Sequence, residues 1–121
     1  MGTQGNRAAS EVTDTTSKVA YPVDLVHLSR QTLGDRELEK EVLGLFVNQS
    51  TLYLKRLQTA KSVKERKSVA HTILGSAKGL GAWQVAEEAA RFEEHCNKKT
   101  DCQRLANAVD DANAYIREIM N

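Results

Sequence analysis

Apolar residues recur along most of this chain at three-and-four spacing, the pattern of amphipathic helices rather than the strict alternation of strands. In RELEKEVLGLFVNQSTLYLKRLQTA, which follows Asp35, one such series runs Leu38, Val42, Leu45, Gln49, Leu52 and Arg56, with Phe46, Tyr53 and Leu57 beside it. It predicts one long helix with that apolar stripe, capped by Asp35. Ser62 and Glu65 form an S-x-x-E capping box, so the next helix starts there and runs to Gly79 or Gly81, where glycine can take the left-handed turn that ends helices. Trp83, Ala86, Ala89, Ala90, Phe92 and Cys96 outline a third, fading at Asn97, Lys98 and Lys99. Asp101 caps a fourth along Cys102, Leu105, Val109, Ala112, Ile116 and Ile119. Upstream, Asp24 caps a short helix, LVHLSRQTL, with Leu25, Leu28 and the Thr32/Leu33 pair on one side and Gly34 as its stop.

These elements predict an all-α fold over residues 22–121: an antiparallel four-helix bundle with a short accessory N-terminal helix. Residues 1–20 are small and polar without apolar periodicity, which predicts a disordered leader.

Composition narrows the function. At 121 residues the chain has the length of a single domain with a core of its own. Seventeen basic against sixteen acidic residues give a net charge of +1, so nothing global draws the chain to nucleic acid or to an anionic membrane. The longest apolar run, residues 42–47, is interrupted by Gly44 and too short to span a bilayer. There is no apolar signal-peptide core, and Asn6 stands where a myristoylation signal needs Ser or Thr. A cytoplasmic location is expected, with Cys96 and Cys102 as reduced packing residues. His95, Cys96 and Cys102 make a poor metal site, because adjacent residues diverge on a helix and no second ligand pair completes the set. Trp83 and Phe92 read as core, and His27 as an exposed or half-buried polar residue.

The candidate chemistry lies in AHTILGSAKGLGAW, residues 70–83. At about 100° per residue, Lys64, Lys67, Gly75, Lys78 and Ala82 fall within roughly 40° of His71, while Val69, Ile73, Ser76 and Leu80 lie near its antipode. The core face is then Val69, Ile73 and Leu80, and His71 points away from it among lysines. A mid-helix glycine costs about 1 kcal/mol relative to alanine. Gly75 stands on the surface beside His71, where no helix packing calls for it, and leaves the imidazole open to a bulky partner. The lysines offer compensation to an arriving anion, for which phosphate is the natural candidate. Phosphoryl transfer needs mainly positioning and charge stabilisation, so one exposed nucleophile suffices if the partner supplies Mg²⁺ and the carboxylates that hold it. No cofactor of the chain's own is expected.

At these residues the sequence resembles the histidine-containing phosphotransfer domains of His–Asp phosphorelays, whose active-site helix carries H-x-[LI]-K-G-x-[AS]-x-x-[LI]-G. Here that stretch reads His71-Thr72-Ile73-Leu74-Gly75-Ser76-Ala77-Lys78-Gly79-Leu80-Gly81. The resemblance implies that His71 is the phosphorylated residue, at Nε2, and that the chain shuttles a phosphoryl group between receiver-domain aspartates without kinase activity of its own. Its partners would be response-regulator receiver domains or a hybrid histidine kinase, met as a monomer. The family's lysine three residues after the histidine is Leu74 here. It lies about 60° from His71, removes a cation and is expected to enlarge the apolar docking surface, with Lys67 and Lys78 as substitutes. The family also implies a polar residue on the following helix that orients the imidazole; a turn near Gly81 points to residues 91–95, and Glu93 is the candidate there. The competing picture for Glu93 is a solvated acidic face shared with Glu87, Glu88 and Glu94. Two other functions fit the pattern: a bundle that binds receiver or kinase domains without the chemistry, suggested by Leu74, and the dimerising helical hairpin of a histidine kinase, which predicts a dimer and an attached ATP-binding domain.

Overall fold

The computed structural model describes residues 21–95 and 102–121, and every described element is helical. In chain order these are α1 (Leu25–Gln31), α2 (Arg36–Thr59), α3 (Val63–Leu80), α4 (Trp83–Glu94) and α5 (Cys102–Met120). The expectations for residues 1–20, Cys96, the stretch Asn97 to Lys99 and the Asp101 cap lie outside the described residues. α2 packs on α3 and α5, α3 on α4, and α4 on α5, which closes a ring of four helices; α1 lies against α3. The connections at residues 60–62 and 81–82 are too short for anything but antiparallel neighbours. The expected four-helix bundle with an accessory helix is the fold.

The starts of α1, α2 and α3 each have a local cause, while α4 follows Ala82, which supplies no side-chain cap. Asp24 accepts a hydrogen bond from the His27 backbone N–H at 3.1 Å, and Asp35 one from Leu38 at 3.1 Å. Ser62 Oγ accepts from the Glu65 N–H at 3.1 Å, while the Glu65 carboxylate accepts from Lys61 N–H at 3.3 Å, one residue earlier than a strict capping box would have it. α3 ends at Gly81, in the left-handed region at φ +92°. A Cβ on Gly81 would sit 2.9 Å from the Asp24 carbonyl oxygen, so both the turn and the neighbouring chain require glycine.

The core runs through Leu28, Leu57, Ile73, Leu80, Val85, Leu105, Val109 and Ile116, all fully buried. On α3 the inward face is the expected Val69, Ile73 and Leu80, widened by Ala70 and Ala77. On α2 the expected stripe is not the inner face. Leu38, Leu45 and Leu52 are 40%, 55% and 60% exposed, whereas Leu43, Phe46, Ser50 and Leu57 are buried. The two stripes lie about 100° apart around the helix. The cause is Ser50: it breaks the apolar pattern of the true inner face, yet turns inward because its hydroxyl accepts from Asn113 Nδ2 on α5 at 3.2 Å.

Four further expectations fail at the edges. Leu25 and Leu33 are exposed, Leu33 in the left-handed region at φ +55°, because α1 gives only Leu28 and the Thr32 cap to the interior. Ile119 is exposed in the last turn of α5, past the end of the packed interface. Trp83 is exposed rather than core: it opens α4, where its indole N–H donates to Asp24 Oδ2 at 3.0 Å and its ring meets His27 edge-on. Phe92 is core as expected.

The offset between the two α2 stripes separates two variants. Leu57→Ala should destabilise the bundle by about 2–5 kcal/mol, and Leu52→Ala by no more than about 0.5 kcal/mol, read from urea unfolding followed by circular dichroism. Equal losses would mean that the outer stripe is also packed.

Candidate functional site

α3 divides its circumference between the core and a solvent face, and the candidate residues stand on the latter. The His71 side chain is 73% exposed. Lys67 and Lys78 are exposed on the same face, about 6 Å before and about 10 Å beyond His71 along the helix axis. Lys64, two turns back, is exposed as well. Ala82 leaves this stripe: the helix stops at Leu80, and Ala82 is buried as the first residue outside α4. Gly75 is exposed, and a Cβ built there meets nothing within 4 Å. No packing inside the molecule demands glycine at that point, so the missing side chain matters only to what approaches from outside.

Glu93, on α4, brings its carboxylate to His71 Nδ1 at 3.4 Å from Oε1 and 3.3 Å from Oε2. The tight turn at Gly81 sets the register that makes these two residues opposite. A carboxylate only accepts hydrogen bonds, so the proton of a neutral imidazole sits on Nδ1, and the lone pair of Nε2 faces solvent. The other acidic residues of α4 are engaged elsewhere or stand apart. Glu88 pairs with Arg104 of α5 at 3.1 Å and with Arg91 at 3.5 Å, and Glu94 lies 3.7 Å from His95. Glu93 is therefore distinguished by direction, which a run of like residues conceals in the sequence.

Leu74 departs from expectation. It is half-buried and packed against the core instead of being displayed as docking surface. The exposed apolar surface near His71 comes from elsewhere: a groove of about 300 Å³ between α1, α2 and α3. Gly75 and Gly79 form one wall, Leu38, Val42 and Leu45 the other, and Leu28 closes the end toward α1.

Two contributors escaped the sequence reading. His27 is half-buried, as expected, but its Nε2–H donates to the backbone carbonyl of Lys78 at 3.0 Å, which ties α1 to the last turn of α3. Asp24 does more than cap α1, since its second carboxylate oxygen holds Trp83, and its backbone N–H donates to the Gly81 carbonyl at 2.9 Å. The Trp83 indole and then the His27 backbone N–H hold the Asp24 carboxyl below its ordinary range. The N-cap was legible, but the reach to Trp83 is a tertiary contact that no local pattern announces.

Among the described residues no three His, Cys, Asp or Glu side chains come together as a metal site, and no helix is long and apolar enough to cross a membrane. Glu93→Ala should leave the fold intact and shift the His71 ring toward the Nε2–H tautomer, read from its ¹⁵N chemical shifts at a pH where the ring is neutral. An unchanged tautomer ratio would show that the Glu93 contact does not set the ring's state.

A scan against protein-family models matches the Hpt domain over residues 41–119, a span that takes in most of α2, all of α3 and α4, and nearly all of α5. Searches of curated proteins and of solved structures found no match. The matched span covers well over half of the chain and includes His71, Gly75 and Glu93: the chain belongs to the Hpt domain family.

Proposed function

We propose that this protein is a cytoplasmic phosphocarrier that accepts a phosphoryl group on His71 from the aspartyl phosphate of one receiver domain and passes it to the aspartate of another. Membership in the Hpt family supports histidine phosphotransfer in a phosphorelay, with receiver domains and histidine kinases as the class of partner. The observation that carries the residue-level reading is an imidazole 73% exposed on the bundle surface with Nδ1 engaged by Glu93.

The step balances without a catalyst's proton. Nε2 of neutral His71 attacks phosphorus in line; the N–P bond forms as the acyl P–O bond breaks, and the electron pair leaves with the aspartate carboxylate. Positive charge develops on the ring, where the Nδ1–H remains hydrogen-bonded to the Glu93 carboxylate, which offsets it. Delivery to the second receiver is the same step reversed. Lys67 and Lys78 compensate the phosphoryl oxygens from either side, in place of the cation that Leu74 lacks. The receiver supplies Mg²⁺ and the carboxylates that hold it, and the phosphoryl group comes from its acyl phosphate rather than from ATP. The partner docks over His71, with Gly75 admitting it and the groove between α1 and α2 taking its apolar contacts.

Leu74 keeps a second reading in view, a bundle that binds receivers without accepting phosphate. Incubation with a receiver domain pre-phosphorylated with labelled phosphate decides between them. Acid-labile, alkali-stable label on the native chain, absent from His71→Gln, is the expected result; a folded chain that binds receivers and takes up no label would establish the adaptor.

Gly75→Gln sharpens the access role. The substitution should raise helix stability by about 0.5–1 kcal/mol while slowing transfer by at least roughly tenfold, so lost transfer could not be put down to unfolding. Unimpaired transfer in this variant would remove the access role.

A further inference from the structure

The outer stripe of α2 is only partly used by the bundle: Val42 packs against the core and Gln49 is half-buried, but the leucines of the stripe are left largely in water. Leu38, Val42, Leu45, Gln49, Leu52 and Arg56 follow one another at intervals of four, three, four, three and four. That is a repeat of about 3.5 residues, the spacing that keeps two long helices in contact instead of drifting around each other. The three leucines are 40%, 55% and 60% exposed. The shape that fits is another helix, lying along about 27 Å of α2.

The charges beside the stripe select which helix. Leu38, Leu45 and Leu52 occupy one seam position, and Val42, Gln49 and Arg56 the other. Of the two flanks, one holds Phe46, buried, and Tyr53, half-buried, and is closed by the bundle. The open flank carries Glu41, Asn48 and Lys55, all exposed. In an antiparallel pair of α2 helices the seam stacks Leu38 on Arg56 of the second copy, Val42 on its Leu52 and Leu45 on its Gln49. The same register sets Glu41 opposite Lys55 of the second copy, and does so twice by symmetry, with Asn48 near the two-fold axis. A parallel pair would instead set Arg56 on Arg56 and leave Glu41 without its cation. Flanking charges of this kind determine partner and orientation.

We propose that α2 pairs antiparallel with α2 of a second copy of this chain, and that this self-association covers the groove beside His71. The groove walls include Leu38, Val42, Leu45 and Gln49 of the stripe, together with Gly75 and Gly79. A second α2 and a docking receiver therefore compete for one surface, and the transferring species is the monomer. The pairing stands on the seam alone; its regulatory consequence rests on the transfer function proposed above.

Sedimentation velocity of the whole chain from about 10 µM to about 1 mM tests the pairing. A concentration-dependent dimer is expected. Glu41→Lys and Lys55→Glu each place two like-charge contacts in the dimer and should weaken it by at least roughly tenfold, with circular dichroism unchanged. An equimolar mixture of the two variants should restore association, because each copy then supplies the charge that the other lost. A native chain monomeric throughout the range, or a mixture no tighter than either variant alone, overturns the pairing. For the regulatory half, transfer from a phosphorylated receiver should slow per molecule as the dimer forms and lose that dependence in Glu41→Lys; the same concentration dependence in both overturns it. Mass is read without phosphate, so failure of the dimer and failure of the transfer function are separate results.

Discussion

The turn at Gly81 is the joint on which the site depends. Its left-handed φ of +92° ends α3, and the Gly81 carbonyl takes the Asp24 N–H that starts α1. A side chain here would be strained twice over, by the torsion and by the 2.9 Å approach of the Asp24 carbonyl oxygen. The turn sends α4 straight back along α3, and that return sets Glu93 against His71. It also holds the α1 end: His27 and Asp24 both reach across it, to the Lys78 carbonyl and to Trp83. A shift of one residue in this turn would rotate α4 by about 100° and turn Glu93 away from the imidazole.

For the transfer proposed above, the acid opposite the imidazole matters because His71 would have to present a lone pair outward while its other nitrogen stays protonated. A neutral amide can do this too, but only in the orientation that offers its oxygen. A carboxylate accepts in either orientation and adds a charge of the sign that a phosphorylated ring needs. At 3.3–3.4 Å the contact is long for a charge-assisted hydrogen bond, leaving room for it to tighten when the ring gains positive charge. In the proposed transfer the lysines would act on the other end of the same event, where the phosphoryl oxygens arrive.

Much of the fold was legible because it is written in local chemistry: caps at Asp24, Asp35 and Ser62, a stop at Gly81, and the three-four spacing of α3 and α5. The orientation of α2 was not. Its more regular apolar stripe faces out, and its inner face contains Ser50, whose hydroxyl is inside only because Asn113 on α5 meets it. A polar pair joined across 63 residues of sequence leaves no trace in either helix alone. Trp83 misled for a related reason: indole is large and apolar enough to suggest core, yet its N–H needs a partner, and Asp24 offers one at the surface. At the site, the direction of His71 followed from helix geometry, because α3 has one apolar face and one basic one. The choice of Glu93 among four neighbouring glutamates depended on the turn's geometry and on Arg104, which draws Glu88 to the far side of α4.

The division of labour among helices has a consequence for what can change independently. His71 and the exposed lysines stand on α3, the carboxylate that meets the imidazole on α4, and the exposed apolar surface on α1 and α2. α3 and α4 are coupled at short range through the Gly81 turn, so a change in either disturbs the contact between His71 and Glu93. The exposed leucines of α2 touch neither His71 nor Glu93; they can be altered with little penalty to the fold, since their side chains are already largely in water. In the proposed function, partner choice would thereby be separated from phosphoryl chemistry. The same reasoning explains why Leu74 can be tolerated where a lysine is usual in the family motif. Its side chain packs against the core, so under the proposed function the substitution would exchange one cation near the phosphoryl group for apolar contact inside the bundle, and it leaves His71, the glycine beside it and the carboxylate behind it in place.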